Sequence, residues 1–390
     1  MLSVSRNAFL LSIALVLIVM LLILLLPVRA AHADGGAPNL AYVAGASPGV
    51  SVIDIQQQQV TNKFSVAGDA HMIYLSLDGR FLYVTQPALG RVAMLAAKTG
   101  QTICTASVPG QPTLLAFDAG ANLLYAAGNG AASISGINAT TCAIEKTIAT
   151  DGPVYGLALA TVGTGVNGST GNQLWVAAGN ALAAFNSTGQ RIASIALPGA
   201  QYVTIPAGST VYVDTRQGSL VAVDLGTHQV VSTLLRGGSF GPMDYDAITG
   251  EIYVPDAQNN QVDVLAPIVP GASIPHEPSR IIRLDASPQS VAITNDGQFG
   301  FVALKGGSVA MLDIPGKQIV KTINVGGDPH FIIVGLYPPL VGTTPQQASI
   351  WTTVINIVAY ALVIAFLLVP MVILWRVNKK KQQADTSPPA

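Results

Sequence analysis

Between positions 40 and 337 the apolar residues fall into short runs, many alternating with polar ones, each run broken by Gly, Asp, Asn or Thr. The repeating unit is an apolar run, a turn, an aromatic-aliphatic pair and then Val-x-Val or its equivalent. The pairs are Tyr42-Val43, Tyr83-Val84, Tyr125-Ala126, Trp175-Val176, Tyr212-Val213, Tyr253-Val254 and Phe301-Val302. Subtracting successive aromatic positions gives spacings of 41, 42, 50, 37, 41 and 48 residues. Runs of this kind bounded by turn residues read as strands. A period of about 40 residues built only from strands predicts a β-propeller with one small sheet per repeat. One such sheet cannot bury both of its faces, so the repeats must stack around an axis. The expected fold class is therefore all-β, a seven-bladed β-propeller.

The second repeat shows the unit clearly: strands over 72–77, 81–85, 91–95 and 102–107, with turns at Asp78-Gly79 and Lys98-Thr99-Gly100. The last repeat copies it over 291–294, 299–304, 308–313 and 319–325. Asp-Gly suits tight hairpins because such turns require positive φ. The first repeat opens at Leu40-Ala41-Tyr42-Val43, which corresponds to a second strand, and has no first strand ahead of it. The missing piece reappears at 331–337, after Gly327-Asp328-Pro329-His330. The expectation is ring closure by the C-terminal strand, which protects sheet edges. A truncated eighth blade is the alternative. Two insertions, at 161–173 and 267–279, read as surface loops from their Gly, Thr, Asn and Pro content.

Half the residues are hydrophobic and only 10% are charged, but the apolar excess sits at the two ends. An apolar stretch at 8–26 follows Arg6, and Ala31-His32-Ala33 offers a small-x-small cleavage site. Residues 1–33 thus read as a signal peptide, with an uncleaved anchor as the alternative. The propeller occupies 34–337, a linker 338–349 and a transmembrane helix 350–375, with Trp351 and Trp375 at interface positions. The tail 376–390 starts Arg376-Val377-Asn378-Lys379-Lys380-Lys381, which places the C-terminus in the cytoplasm by the positive-inside rule. The expected protein is single-pass in the cell membrane with its propeller extracellular.

Residues 34–340 hold 13 Lys and Arg against 19 Asp and Glu, so nucleic acid is not an expected partner. Cys104 and Cys142 are the two cysteines, and both lie in the exported part. They fall in adjacent repeats near the outer strands, which permits a disulfide; two separate buried thiols are the alternative. Asn138, Asn167 and Asn186 open glycosylation sequons, which also arise by chance in a chain this rich in Ser, Thr and Asn.

Tyr83-Val84-Thr85-Gln86, the third-strand aspartates Asp54 and Asp313, and the Gly-Gly-Asp-Pro-His turn resemble the YVTN-type β-propellers of prokaryotic surface proteins. The resemblance covers about 40–337, with Gln86 in place of the namesake asparagine and Asp224 as the other third-strand aspartate. It implies a seven-bladed ring and an extracellular location. It implies no single activity, because the scaffold hosts many.

Two sets of residues suggest chemistry. Gly68-Asp69-Ala70-His71 and Gly327-Asp328-Pro329-His330 occupy equivalent turns before the innermost strands of adjacent blades. Asp69, His71, Asp328 and His330 should therefore meet at one channel mouth, where they suit a transition metal or an anionic ligand. The bland alternative is a repeated strand cap facing water. Asp244 and Asp246 flank Tyr245, and period two puts both carboxylates on one face for acid/base work; an interblade hydrogen-bond cluster is the alternative. No Cys-x-x-Cys-His and no P-loop occurs, and no cofactor and no catalytic residue is assigned. Two functions follow. The first is a membrane-anchored binding, scaffold or surface-structural module for an extracellular protein or glycan. The second is an envelope hydrolase or lyase with a metal-assisted site at the channel mouth.

Overall fold

The computed structural model describes residues 39–160, 171–269 and 271–335. Those residues form seven antiparallel sheets of four strands each. In the first blade the chain-order strands Leu40–Ala46, Gly49–Asp54 and Gln59–Ser65 are joined by Phe331–Gly335 as the innermost strand. The register runs from Leu40 opposite Gly335 to Ala44 opposite Phe331. The last strand therefore closes the ring onto the first blade, and no separate eighth sheet starts there. The amide of Asn39 donates to Gly335 O at 2.9 Å, extending the seam by one bond.

The packing follows the repeat. Seven apolar clusters occupy the seven blade-to-blade interfaces, and each draws on two neighbouring blades. The aromatic of every pair points into the next blade around the ring. Tyr42 packs with Ile73 and Leu82, Trp175 with Val211 and Val213, and Phe301 with Val43 and Ile332. The aliphatic partner of each pair faces the other way, as strand alternation requires. Val43 thus joins the seventh-blade cluster while Tyr42 joins that of the second. Burial of both faces requires a neighbour on each side, and only a closed ring supplies one for every blade.

Strand limits differ from the pattern where side chains replace ladder bonds. The inner strand of the second blade is Ile73–Leu75 rather than 72–77. Thr85 Oγ1 accepts from Met72 N at 2.8 Å, so a side chain holds the entry to that strand. In the sixth blade the inner strand is only Asp244–Tyr245. Pro242 just before it has no N–H to donate to a ladder.

Polar residues at strand ends cap the turns. Asp224 Oδ1 accepts from Gly226 N and Thr227 N, at 3.1 and 2.7 Å. Asn138 and Asn186 occupy the equivalent place and do the same for Thr140 and Thr188 at 2.9 and 3.1 Å. Two of the three sequon asparagines are therefore turn caps, and Asn138 Nδ2 also donates to Glu145 Oε1 at 2.7 Å. Asn167 lies outside the described residues.

Cys104, on the fourth strand of the second blade, is bonded to Cys142 in the third-blade turn, with Cα atoms 6.1 Å apart. The bridge joins adjacent blades at their outer edge. Among the described residues no helix is long and apolar enough to cross a membrane. The segments read as signal peptide and membrane span, 1–33 and 350–375, lie outside those residues.

Candidate functional site

His71 and His330 enter the second and first blades from equivalent turns, and local bonding fixes both. His71 N donates to Thr85 O at 3.2 Å. His330 N donates to Ala44 O, and Asp328 N to Gly45 O, both at 2.9 Å. Gly45 has φ +80, and a Cβ there would sit 2.2 Å from Asp328 O and 2.8 Å from His330 Cδ2. Only glycine lets this turn lie against the first blade.

The two imidazoles are neighbours, with ring centroids 4.6 Å apart and planes 35° from parallel. Asp69 completes the cluster, its Oδ1 standing 3.4 Å from His330 Nε2. Donor atoms of Asp69, His71 and His330 all lie within 4.8 Å of one another. Asp328 is exposed and stands outside this cluster. The structure therefore brings together three of the four residues that the repeat placed at this mouth.

Burial, then the neighbouring His330, lowers the His71 pKa to about 4, with Asp69 opposing. At neutral pH His71 is an uncharged imidazole with a lone pair to offer. That form suits a metal cation better than an anion. Two imidazoles and a carboxylate match the donor preferences of late first-row metals, and three donors leave one tetrahedral position open.

Beside the cluster, the inner strands enclose a cavity of about 330 Å³. Its wall includes Met72, Tyr74, Phe117, Tyr202, Met243 and Phe331. Met72 and Phe331 directly follow the two histidines, so the histidines sit next to this cavity of mixed lining.

Asp244 and Asp246 do not converge. The strand ends at Tyr245, and Asp246 turns away to accept from Ile248 N at 2.9 Å and Thr249 Oγ1 at 2.6 Å. Both oxygens of Asp246 are thus used in a turn. Asp244, partly buried beside a second cavity of about 250 Å³, accepts from Ile293 N at 2.7 Å. Burial raises its pKa to about 6, against the opposing N–H groups of Ile293 and Tyr245. An acid raised in the folded state contributes least once ionised. Its cost is absent below pH ~4, develops between pH ~4 and ~6, and is full above. Asp244→Asn is therefore expected to stabilise the protein by about 2–3 kcal/mol at pH 7 and by almost nothing at pH 3.5. Urea unfolding at the two pH values measures this, and an equal effect at both would contradict it.

One acid escaped the sequence reading. Asp214 has no exposed surface, and burial raises its pKa well above the ordinary aspartate value. Gln201 Nε2 donates to its Oδ2 at 2.6 Å, while Oδ1 is buried without a partner. Its signal was available: Tyr212-Val213-Asp214-Thr215 aligns with Tyr83-Val84-Thr85-Gln86, so an acid stands where the second blade has Thr85. In the neighbouring region Arg216 stacks over the Tyr155 ring at 4.4 Å.

Several solved structures share this architecture at low identity. Hydrazine synthase of Kuenenia stuttgartiensis is 16% identical with a TM-score of 0.56, over 71% of this chain and 95% of that one. Dihydro-heme d1 dehydrogenase NirN in complex with DHE is 14% identical with a TM-score of 0.53, over 73% of this chain and 63% of that one. The β-propeller domain of Swd1 (Cps50) from Myceliophteria thermophila is 13% identical with a TM-score of 0.59, over 71% and 92%. No protein family matches the chain by its sequence, and no curated protein does. Likeness at this level carries the fold and nothing finer. The described chain is a seven-bladed β-propeller.

Proposed function

We propose that this chain is an exported, membrane-tethered β-propeller of the YVTN type that serves as a binding or scaffold module at the cell surface. Residues 1–33 direct export, 350–375 hold the chain in the membrane, and 376–390 remain inside. The observation that carries the binding reading is the cavity of about 330 Å³, with a mixed polar and apolar lining, beside a mouth of a few convergent polar groups. That combination is how ligand-binding concavities are built. Asp246, a residue proposed for acid/base work, is engaged in turn capping instead. The partner class is an extracellular protein or glycan.

The test is cross-linking of the tagged full-length protein in native envelopes, followed by affinity recovery. One macromolecule recovered in stoichiometric amount is the expected result. Recovery of the chain alone, repeated with and without added divalent metal, would count against the reading.

A catalytic reading is favoured by one observation, the approach of Asp69 to His330 at 3.4 Å beside His71. Turnover of model ester or glycoside substrates by the purified protein, lost in His71→Ala, would move the conclusion to this second reading.

A further inference from the structure

Two features of the His-bearing mouth point beyond simple partner binding. The cluster straddles the ring seam: His330 immediately precedes the closing strand, Phe331–Gly335, whereas Asp69 and His71 belong to the connection from the first blade to the second. The spacing is also close to a coordination sphere. Two donors each ~2.0–2.1 Å from a tetrahedral zinc lie about 3.4 Å apart. Asp69 Oδ1 and His330 Nε2 already stand at 3.4 Å, and the remaining donor needs only a side-chain adjustment within the 4.8 Å cluster.

We propose that Asp69, His71 and His330 bind a divalent transition-metal ion, zinc by preference, and that the ion clips the closing strand to the connection between the first and second blades.

The backbone prepares the site without the ion. Asp69 lies at φ +60 and Gly68 at φ +78, which curls the loop so that the Asp69 carboxylate returns toward His330. On the other side Gly45 lets the Asp328-Pro329-His330 turn lie against the first blade. With the ion bound, a water molecule would take the open coordination position. Asp69 already stands within ion-pair reach of His330, and a shared ion would strengthen that link and draw His71 into it, joining segments 259 residues apart, by subtraction of 71 from 330. The site has a consequence for dynamics. The closing strand is held to its own sheet on only one side, by Leu40–Ala46. An ion that must leave before this strand detaches slows its opening by a factor of about 1 + [zinc]/Kd. This role is independent of whichever partner docks on the propeller.

The experiment uses metal-free full-length protein in detergent micelles, with zinc chloride as the probe. Calorimetric titration should show one zinc per chain. Amide exchange across 331–335 should slow about 100-fold when free zinc is 100 times Kd, with the outer strand Thr102–Ser107 unchanged. Asp69→Asn, which keeps a residue tolerant of positive φ at this exposed place, should weaken zinc at least tenfold with the fold intact. His71→Ala/His330→Ala should abolish both the binding and the slowing. Absence of binding, or binding unchanged in Asp69→Asn and in the double variant, would overturn the site. Stoichiometric binding without slower exchange at 331–335 would overturn the clip.

Discussion

Trp175→Ala is expected to destabilise the propeller by about 3–5 kcal/mol, the largest single-residue effect in the molecule. Trp175 has no exposed surface and is the largest fully buried side chain among the described residues. It fills the interface between the fourth and fifth blades against Leu182, Val211, Val213 and Val223, and its ring stacks on His228 at 5.5 Å. Its Nε1 donates to Gln173 Oε1 at 3.2 Å, so truncation also orphans a buried acceptor. The loss exceeds that of a buried leucine because rigid sheets on both sides cannot collapse into the space. Urea unfolding followed by far-UV circular dichroism should show a lower midpoint with the slope kept. An unchanged midpoint would mean that Trp175 is not an interblade anchor.

The second large effect is removal of the outer bridge. Cys104 and Cys142 close a loop of 38 residues. In the chain-entropy account such a loop restricts the unfolded chain by about 4 kcal/mol. Cys104→Ser/Cys142→Ser should lower stability by an amount of that order, and a reducing agent should act on the parent protein but not on the variant. The two changes act at different interfaces, so Trp175→Ala and the cysteine pair should add. Equal stability of the oxidised and reduced parent would contradict a bridge that limits the unfolded ensemble.

How much of this was legible beforehand depends on which physical quantity each feature needs. The ring was legible because its determinant is one-dimensional. An aromatic that points forward and an aliphatic neighbour that points backward recur at each second strand, and alternation alone assigns their faces. The closing strand was legible for the same reason, since the first repeat begins at Tyr42-Val43 with no inner strand before it. Disulfide pairing was only an option at that stage, because Cα separation and direction are three-dimensional. Equivalent repeat positions brought His71 and His330 into one neighbourhood, and the rings stand 4.6 Å apart. The same logic could not exclude Asp328, which is exposed and stands outside the cluster. It left Asp246 open between acid/base work and a hydrogen-bond cluster, since alternation holds only inside a strand and this one stops at Tyr245. Asp214 went unremarked although its alignment with Thr85 was visible in the repeat, because the alignment does not say that the acid is buried. Its burial is set by neighbouring blades, which local sequence does not encode.

Amide hydrogen exchange of the full-length protein, resolved by peptide, tests ring closure most directly. With closure, peptides spanning 331–335 and 40–46 exchange together and as slowly as the third-blade inner strand, Leu114–Asp118. Exchange of 331–335 at the rate of an unprotected chain, while the seven blades otherwise stay protected, would contradict it.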